Sequence, residues 1–173
     1  MGRRALRLLF LALMLVLLVG PARRVGAEEP CLASAWTAFN SKDYSAAVQA
    51  ADQCIDDFGR AADRQEAELQ NEPVTKPGRP PTEFDKNRIF AQGVLNDVAT
   101  AYFVKGRAAE AQSQKVRRES ERTKLRRTAK ESYEAACRYK HALTWDPRNA
   151  SFWSPCQAAS DRLPLKGATT GGS

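Results

Sequence analysis

The stretch CLASAWTAFNSKDYSAAVQAADQCIDDF, residues 31–58, decides the fold. Leu32, Ala35, Trp36 and Phe39 recur at i, i+3, i+4 and i+7, the period of one helix face. A polar turn follows at Ser41-Lys42-Asp43-Tyr44, and then Tyr44, Ala47, Val48, Ala51, Ile55 and Phe58 repeat the spacing. Two amphipathic helices joined by so short a turn must pack back on each other as a hairpin. The far end is open: Gly59 stops the second helix, or the helix formers of 60–69 extend it on a solvated face.

The cysteines fit this geometry. In two antiparallel helices, residues equidistant from the turn lie side by side. Cys31 and Cys54 are centred on the Ser41–Tyr44 turn, and Cys137 and Cys156 on Asp146-Pro147. The expected disulfides are therefore Cys31 with Cys54 and Cys137 with Cys156, each worth about 3 kcal/mol on the loop-closure model. A metal site is not indicated, because no two Cys lie within four residues of each other and His141 is the only imidazole.

Outward from the hairpin, Glu72 to Pro81 holds four Pro and one Gly in ten residues and reads as a linker. Helix returns near Phe84. Ile89, Phe90, Val94, Leu95, Val98, Ala99, Tyr102 and Phe103 form the widest apolar seam in the chain. Gly106 is either a turn or a glycine within a longer helix. From Lys115 to Glu131, 11 of 17 residues are charged, eight of them basic: Lys115, Arg117, Arg118, Arg122, Lys124, Arg126, Arg127 and Lys130. That composition predicts a helix projecting from the core, and Thr128-Ala129-Lys130-Glu131 matches a capping box for a fresh start. Residues 107–144 form one helix or two broken near 118–128. Tyr133, Ala136, Tyr139, Ala142 and Leu143 then predict a buried stripe ending at Trp145-Asp146-Pro147. Asn149 is a candidate cap for a short following helix, Ser154-Pro155 a candidate restart, and Trp145 and Trp153 candidate covers of the last hairpin.

Of 173 residues, 27 are Lys or Arg and 20 Asp or Glu, for a formal net charge of +7. Five of those bases, Arg3, Arg4, Arg7, Arg23 and Arg24, lie in the first 27 residues, which hold no acid. There a 12-residue apolar run, Leu8 to Val19, follows a basic start and precedes Gly20-Pro21 and the small residues before Glu28. A bilayer span takes about 20 residues, so this reads as a signal peptide over 1–27, either cleaved after Ala27 or retained as an anchor. Without it, 22 basic residues face 20 acidic ones, and whole-chain basicity gives no support for nucleic-acid binding. The expected location is periplasmic or extracellular, where an even number of cysteines predicts disulfides.

The residues 35–48 resemble the tetratricopeptide repeat, a helix-turn-helix with small residues at the inter-helix contact. Leu95, Val98, Ala99, Tyr102, Gly106 and Ala111 look like the same block of a second unit, and Ala135, Tyr139, Ala142, Leu143, Asp146, Pro147 and Asn149 like a unit's closing half. The chain is also similar to exported bacterial envelope proteins sharing an N-D-V-A-x-x-Y-F-x-K-G segment, here Asn96 to Gly106, and a W-D-P-R ending followed by F-W. The resulting expectation is an all-α fold of tetratricopeptide-like antiparallel hairpins with one long charged helix and two disulfides. Its parts are a signal peptide over 1–27, a first hairpin over 28–71, a Pro-rich linker over 72–83, a second unit over 84–163 with a charged insertion at 115–131, and a disordered tail over 164–173.

The functional expectation is a non-catalytic, cofactor-free module that binds a protein or peptide partner in the cell envelope. His141, expected on the solvated outer face of a helix end, has no obvious nucleophile to serve, and Asp56 and Asp57 point apart on a helix. No Gly-rich phosphate loop is present. Trp36, Asn40, Asn96, Thr100 and Phe103 are the candidate partner contacts, because repeats of this kind place such contacts on the first helix of each unit. The alternative is contact with an anionic surface, lipid headgroup or acidic envelope polymer, through Lys115 to Lys130.

Overall fold

The computed structural model describes residues 30–77 and 81–163. The signal peptide expected over 1–27 and the tail over 164–173 lie outside the described residues. Helix α1 (Pro30–Asn40) and α2 (Tyr44–Leu69) form the first hairpin, with Lys42 at φ 64° making the reversal and the Asp43 carboxylate capping α2 at the Ala46 N–H, 3.1 Å away. Gly59 lies inside α2, which runs on through residues 60–69. After the linker, α3 (Glu83–Ala91) opens on a capping box between Thr82 and Asp85, and α4 (Gly93–Ser113) follows after a break at Gln92.

Helix α4 is the centre of the molecule. Lys105 pairs with Asp52, and the Leu95 N–H donates to the Gln65 side chain at 2.9 Å, so α4 runs antiparallel to α2. Leu32, Ala35, Ala51, Cys54, Ala101 and Val104 form the core between α1, α2 and α4. On the opposite side, α4 packs against α5 (Glu119–Ala136), with Phe103, Ala109, Ala129, Tyr133 and Ala136 between them. The two units proposed from sequence therefore share cores through α4. Gly106 sits within α4, and its missing side chain admits the Tyr133 ring.

Three sequence expectations change here. The segment 107–144 is two helices, but the break falls at 114–118, earlier than expected, and Thr128 lies within α5 with its carbonyl accepting from the Ser132 hydroxyl. No Gly or Pro marks that break; the turn is held by one distant contact, the Lys115 ammonium 4.5 Å from the Tyr44 ring centre, and one local one, Arg122 donating to the Val116 carbonyl. Nor does α5 simply project: its second half buries Ala129, Ser132, Tyr133 and Ala136.

The third change is at the closing segment. Helix ends at Ala136, and Thr144–Asp146 (β1) pairs antiparallel with Ser151–Trp153 (β2), Trp145 opposite Phe152. The W-D-P-R ending is thus one arm and the turn of a β-hairpin, in an otherwise helical fold. Asp146 holds the turn by accepting from the Arg148 N–H at 2.9 Å and from Asn149 at 2.7 Å, so Asn149 does not cap a helix. Ser154 does cap one, α6 (Pro155–Ser160), with Pro155 at its first position. Trp145 packs on Phe152 and Phe90, and Trp153 on Phe103.

One disulfide is formed, Cys31 with Cys54, pinning α1 to α2 in the expected register. Cys137 and Cys156 stand as separate thiols, the Cys137 Sγ 3.1 Å from the Cys156 carbonyl oxygen. Burial, and then the neighbouring Cys137, push the Cys156 thiol up to about 11. Among the described residues, no helix is long and apolar enough to cross a membrane.

Candidate interaction surface

The amphipathic spacing of α1 puts Trp36 and Phe39 on one edge, and the tight turn brings Tyr44 beside them. The Trp36 and Phe39 ring centres are 6.0 Å apart and those of Phe39 and Tyr44 5.8 Å. Helix α4 faces this edge with Phe103, Arg107 and Glu110, at i, i+4 and i+7 of a single stripe. Phe103 continues the aromatic series to Trp153 of β2, 5.3 Å between centres. The surface thus draws on α1, α4 and β2. Trp36, Phe39, Tyr44 and Trp153 are each half-buried.

Charge is threaded through these rings. The Arg107 guanidinium lies 5.0 Å from the Phe39 ring centre and 5.8 Å from that of Phe103, within cation–π range of both. Among the described residues it has no ion pair and no hydrogen-bond acceptor. Glu110, one turn further along the stripe, accepts from the Tyr133 hydroxyl at 2.6 Å and from Arg162 at 2.9 Å through the same oxygen. Burial first, and the Arg162 charge second, hold Arg107 below the usual guanidinium range. Burial and the Glu110 hydrogen bond raise the Tyr133 phenol well above its ordinary value.

Of the five candidate contacts read from sequence, Trp36 and Asn40 lie at this surface, Asn40 exposed. Phe103 is only 5% exposed and acts as the floor. Asn96 and Thr100 do not reach it. The Asn96 amide donates to the Ile89 carbonyl at 2.8 Å and accepts from the Leu143 N–H at 2.9 Å, stapling the break before α4 to the closing segment. Thr100 is wholly buried, its hydroxyl 2.7 Å from both the Asn96 carbonyl and the Thr144 hydroxyl. Arg107, Glu110 and Arg162 escaped the sequence reading; the i, i+4, i+7 spacing from Phe103 was the available signal for the first two.

His141 is likewise inside the structure and not on an outer face. Its side chain is 8% exposed, with Nδ1 2.9 Å from the Glu66 carboxylate and Nε2 3.1 Å from the Glu72 carbonyl. Glu66 also accepts from the Lys140 and His141 backbone N–H groups. The cluster clasps the end of α2 to the loop after α5, using both ring nitrogens.

The basic residues divide. Arg122 pairs with Glu119 at 2.6 Å, and Arg127 and Lys130 lie 3.9 and 3.7 Å from Glu131 and Glu134. Arg117, Arg118, Lys124 and Arg126 have no ion pair among the described residues. No family model, no curated protein and no solved structure matches this chain.

Proposed function

We propose that the chain is an exported, non-catalytic, tetratricopeptide-like module that binds a protein partner along the edge shared by α1 and α4. The observation that carries this reading is the order of helix contacts: α1 packs on α2, α2 on α4, α4 on α5, and α1 also lies beside α4. That is the packing expected when two helical hairpins stack, leaving the first helix of each on one face with the half-buried aromatics Trp36 and Phe39. Such rings supply large contact area with little conformational entropy to lose, which suits a binding surface.

The test is photo-crosslinking in the cells that make the protein, from a photoreactive residue at exposed Asn40. One recurrent protein adduct is the expected result. Absence of a specific protein, with purified chain binding a glycan or lipid instead, overturns the reading.

Export also implies that Cys137 and Cys156 close a second disulfide, for which their adjacency is the support. Alkylation of the isolated, unreduced protein then labels no cysteine; labelling of both Cys137 and Cys156 rejects the pairing.

A second reading, contact with an anionic surface, is favoured by five cations without ion pairs among the described residues, Lys115, Arg117, Arg118, Lys124 and Arg126, in the turn before α5 and its first half. Replacing Arg117, Arg118, Arg126 and Arg127 with Gln removes salt-sensitive binding to anionic vesicles if it is correct. Absent or salt-independent vesicle binding by the unaltered chain rejects it.

A further inference from the structure

We propose that Arg107 is the anchor of the protein-binding surface and that it receives a carboxylate from an acidic, aromatic-bearing peptide segment of the partner. The inference rests on the protein-binding reading and names the chemistry of what is bound.

Four observations support it. The guanidinium is held against two rings, Phe39 and Phe103, from two different helices, so its position is set before any ligand arrives. It has no ion pair or hydrogen-bond acceptor among the described residues, although a half-buried cation is costly without one. The acid on its own stripe, Glu110, already serves Tyr133 and Arg162. Finally, two further cations border the same edge: Arg162, whose repulsion of Arg107 is only partly offset by Glu110, and Lys115, which stands over Tyr44.

An arriving anion would compensate for the lost hydration and offset the Arg162 repulsion. The planar, five-donor fork of Arg matches a carboxylate by two parallel hydrogen bonds, which is the geometric reason for choosing that anion. The half-buried rings of Trp36, Phe39 and Trp153 select a peptide carrying apolar side chains beside its acids over a bare ion. A purely structural arginine, kept for packing on two rings, would require no anion at all.

The experiment uses the full chain and the emission of its tryptophans, two of which, Trp36 and Trp153, lie at the surface. The probes are an acetylated, amidated octapeptide holding four Glu and two Phe, the same peptide with Gln for Glu, and inorganic phosphate. The Glu peptide is expected to bind at least tenfold more tightly than the Gln peptide and than phosphate. Arg107→Gln should weaken the Glu peptide at least tenfold, leave the Gln peptide within twofold, and leave Tm unchanged or higher. Arg107→Lys, which keeps the charge but not the fork, should weaken the Glu peptide severalfold and serves where the Gln variant folds poorly.

Equal binding of Glu and Gln peptides, phosphate binding as tight as the Glu peptide, unaltered binding by both variants, or no peptide binding overturns the inference. Crosslinking from Asn40 that still captures a partner with Arg107→Gln leaves the protein-binding reading standing while this one falls.

Discussion

One methyl group at Gly106 distinguishes packing from helix propensity. A Cβ there would meet the Tyr133 ring at 2.5 and 2.6 Å, and Tyr133 is fully buried, so either α5 or the ring must shift. Overpacking of this kind costs about 1–3 kcal/mol, against about 1 kcal/mol gained by Ala over Gly in a helix. Gly106→Ala is expected to lower stability in a urea melt, whereas Gly59→Ala, whose Cβ meets only Ile55 at 3.9 Å, is expected to raise it by about 1 kcal/mol. Asn96→Ala leaves the Ile89 carbonyl and Leu143 N–H without their partner in a buried site, a loss of about 2 kcal/mol by the same measurement. At this scale the sequence was least informative. Asn96 and Thr100 lie on a polar stripe whether they face a partner or the closing segment. Their partners at 143 and 144 are 47 and 44 residues away, and helical periodicity does not reach that far.

Elements were more legible. The α1–α2 hairpin and its disulfide followed from apolar spacing and turn symmetry alone, because helices joined by a three-residue turn have one way to pack. Removing that bridge with Cys31→Ser and Cys54→Ala is expected to cost about 3 kcal/mol relative to the oxidised parent, measured by chemical denaturation. In the sequence the closing element has the pattern of a helix, because Tyr133, Ala136, Tyr139, Ala142 and Leu143 keep helical spacing beyond the true end at Ala136. Competing partners explain the difference. The Glu66 carboxylate takes the N–H groups of Lys140 and His141, and the Tyr139 hydroxyl donates to Asp63 at 2.8 Å, so this loop satisfies its polar groups against α2. The charged helix α5 was also expected to project, but its apolar residues Ala129, Tyr133 and Ala136 arrive late and dock only its second half.

For the whole molecule, two buried phenols set an alkaline limit. Burial, then hydrogen bonds to Glu110 and Asp63, raise Tyr133 and Tyr139 well above the ordinary value of 10.0. In the unfolded chain both lose their protons near pH 10, while the folded chain retains them, so the unfolded state binds fewer protons above that pH. The stability contribution is complete below about pH 10 and is lost as pH rises toward the folded-state values. Tm measured at pH 8, 10 and 11 should fall more steeply for the parent than for the Tyr133→Phe, Tyr139→Phe double variant.

By itself, the sequence determined the helical class, the first hairpin, the register of Cys31 against Cys54 and the most buried helix, all of which depend on spacing within a few turns. Only the tertiary structure decided that the closing segment is a β-hairpin, that His141, Asn96 and Thr100 are internal staples, and that Arg107 lies on two rings with no ion pair among the described residues. The physical reason is that a polar side chain's role depends on which distant group meets it. Local periodicity places it on a face but does not say what lies opposite.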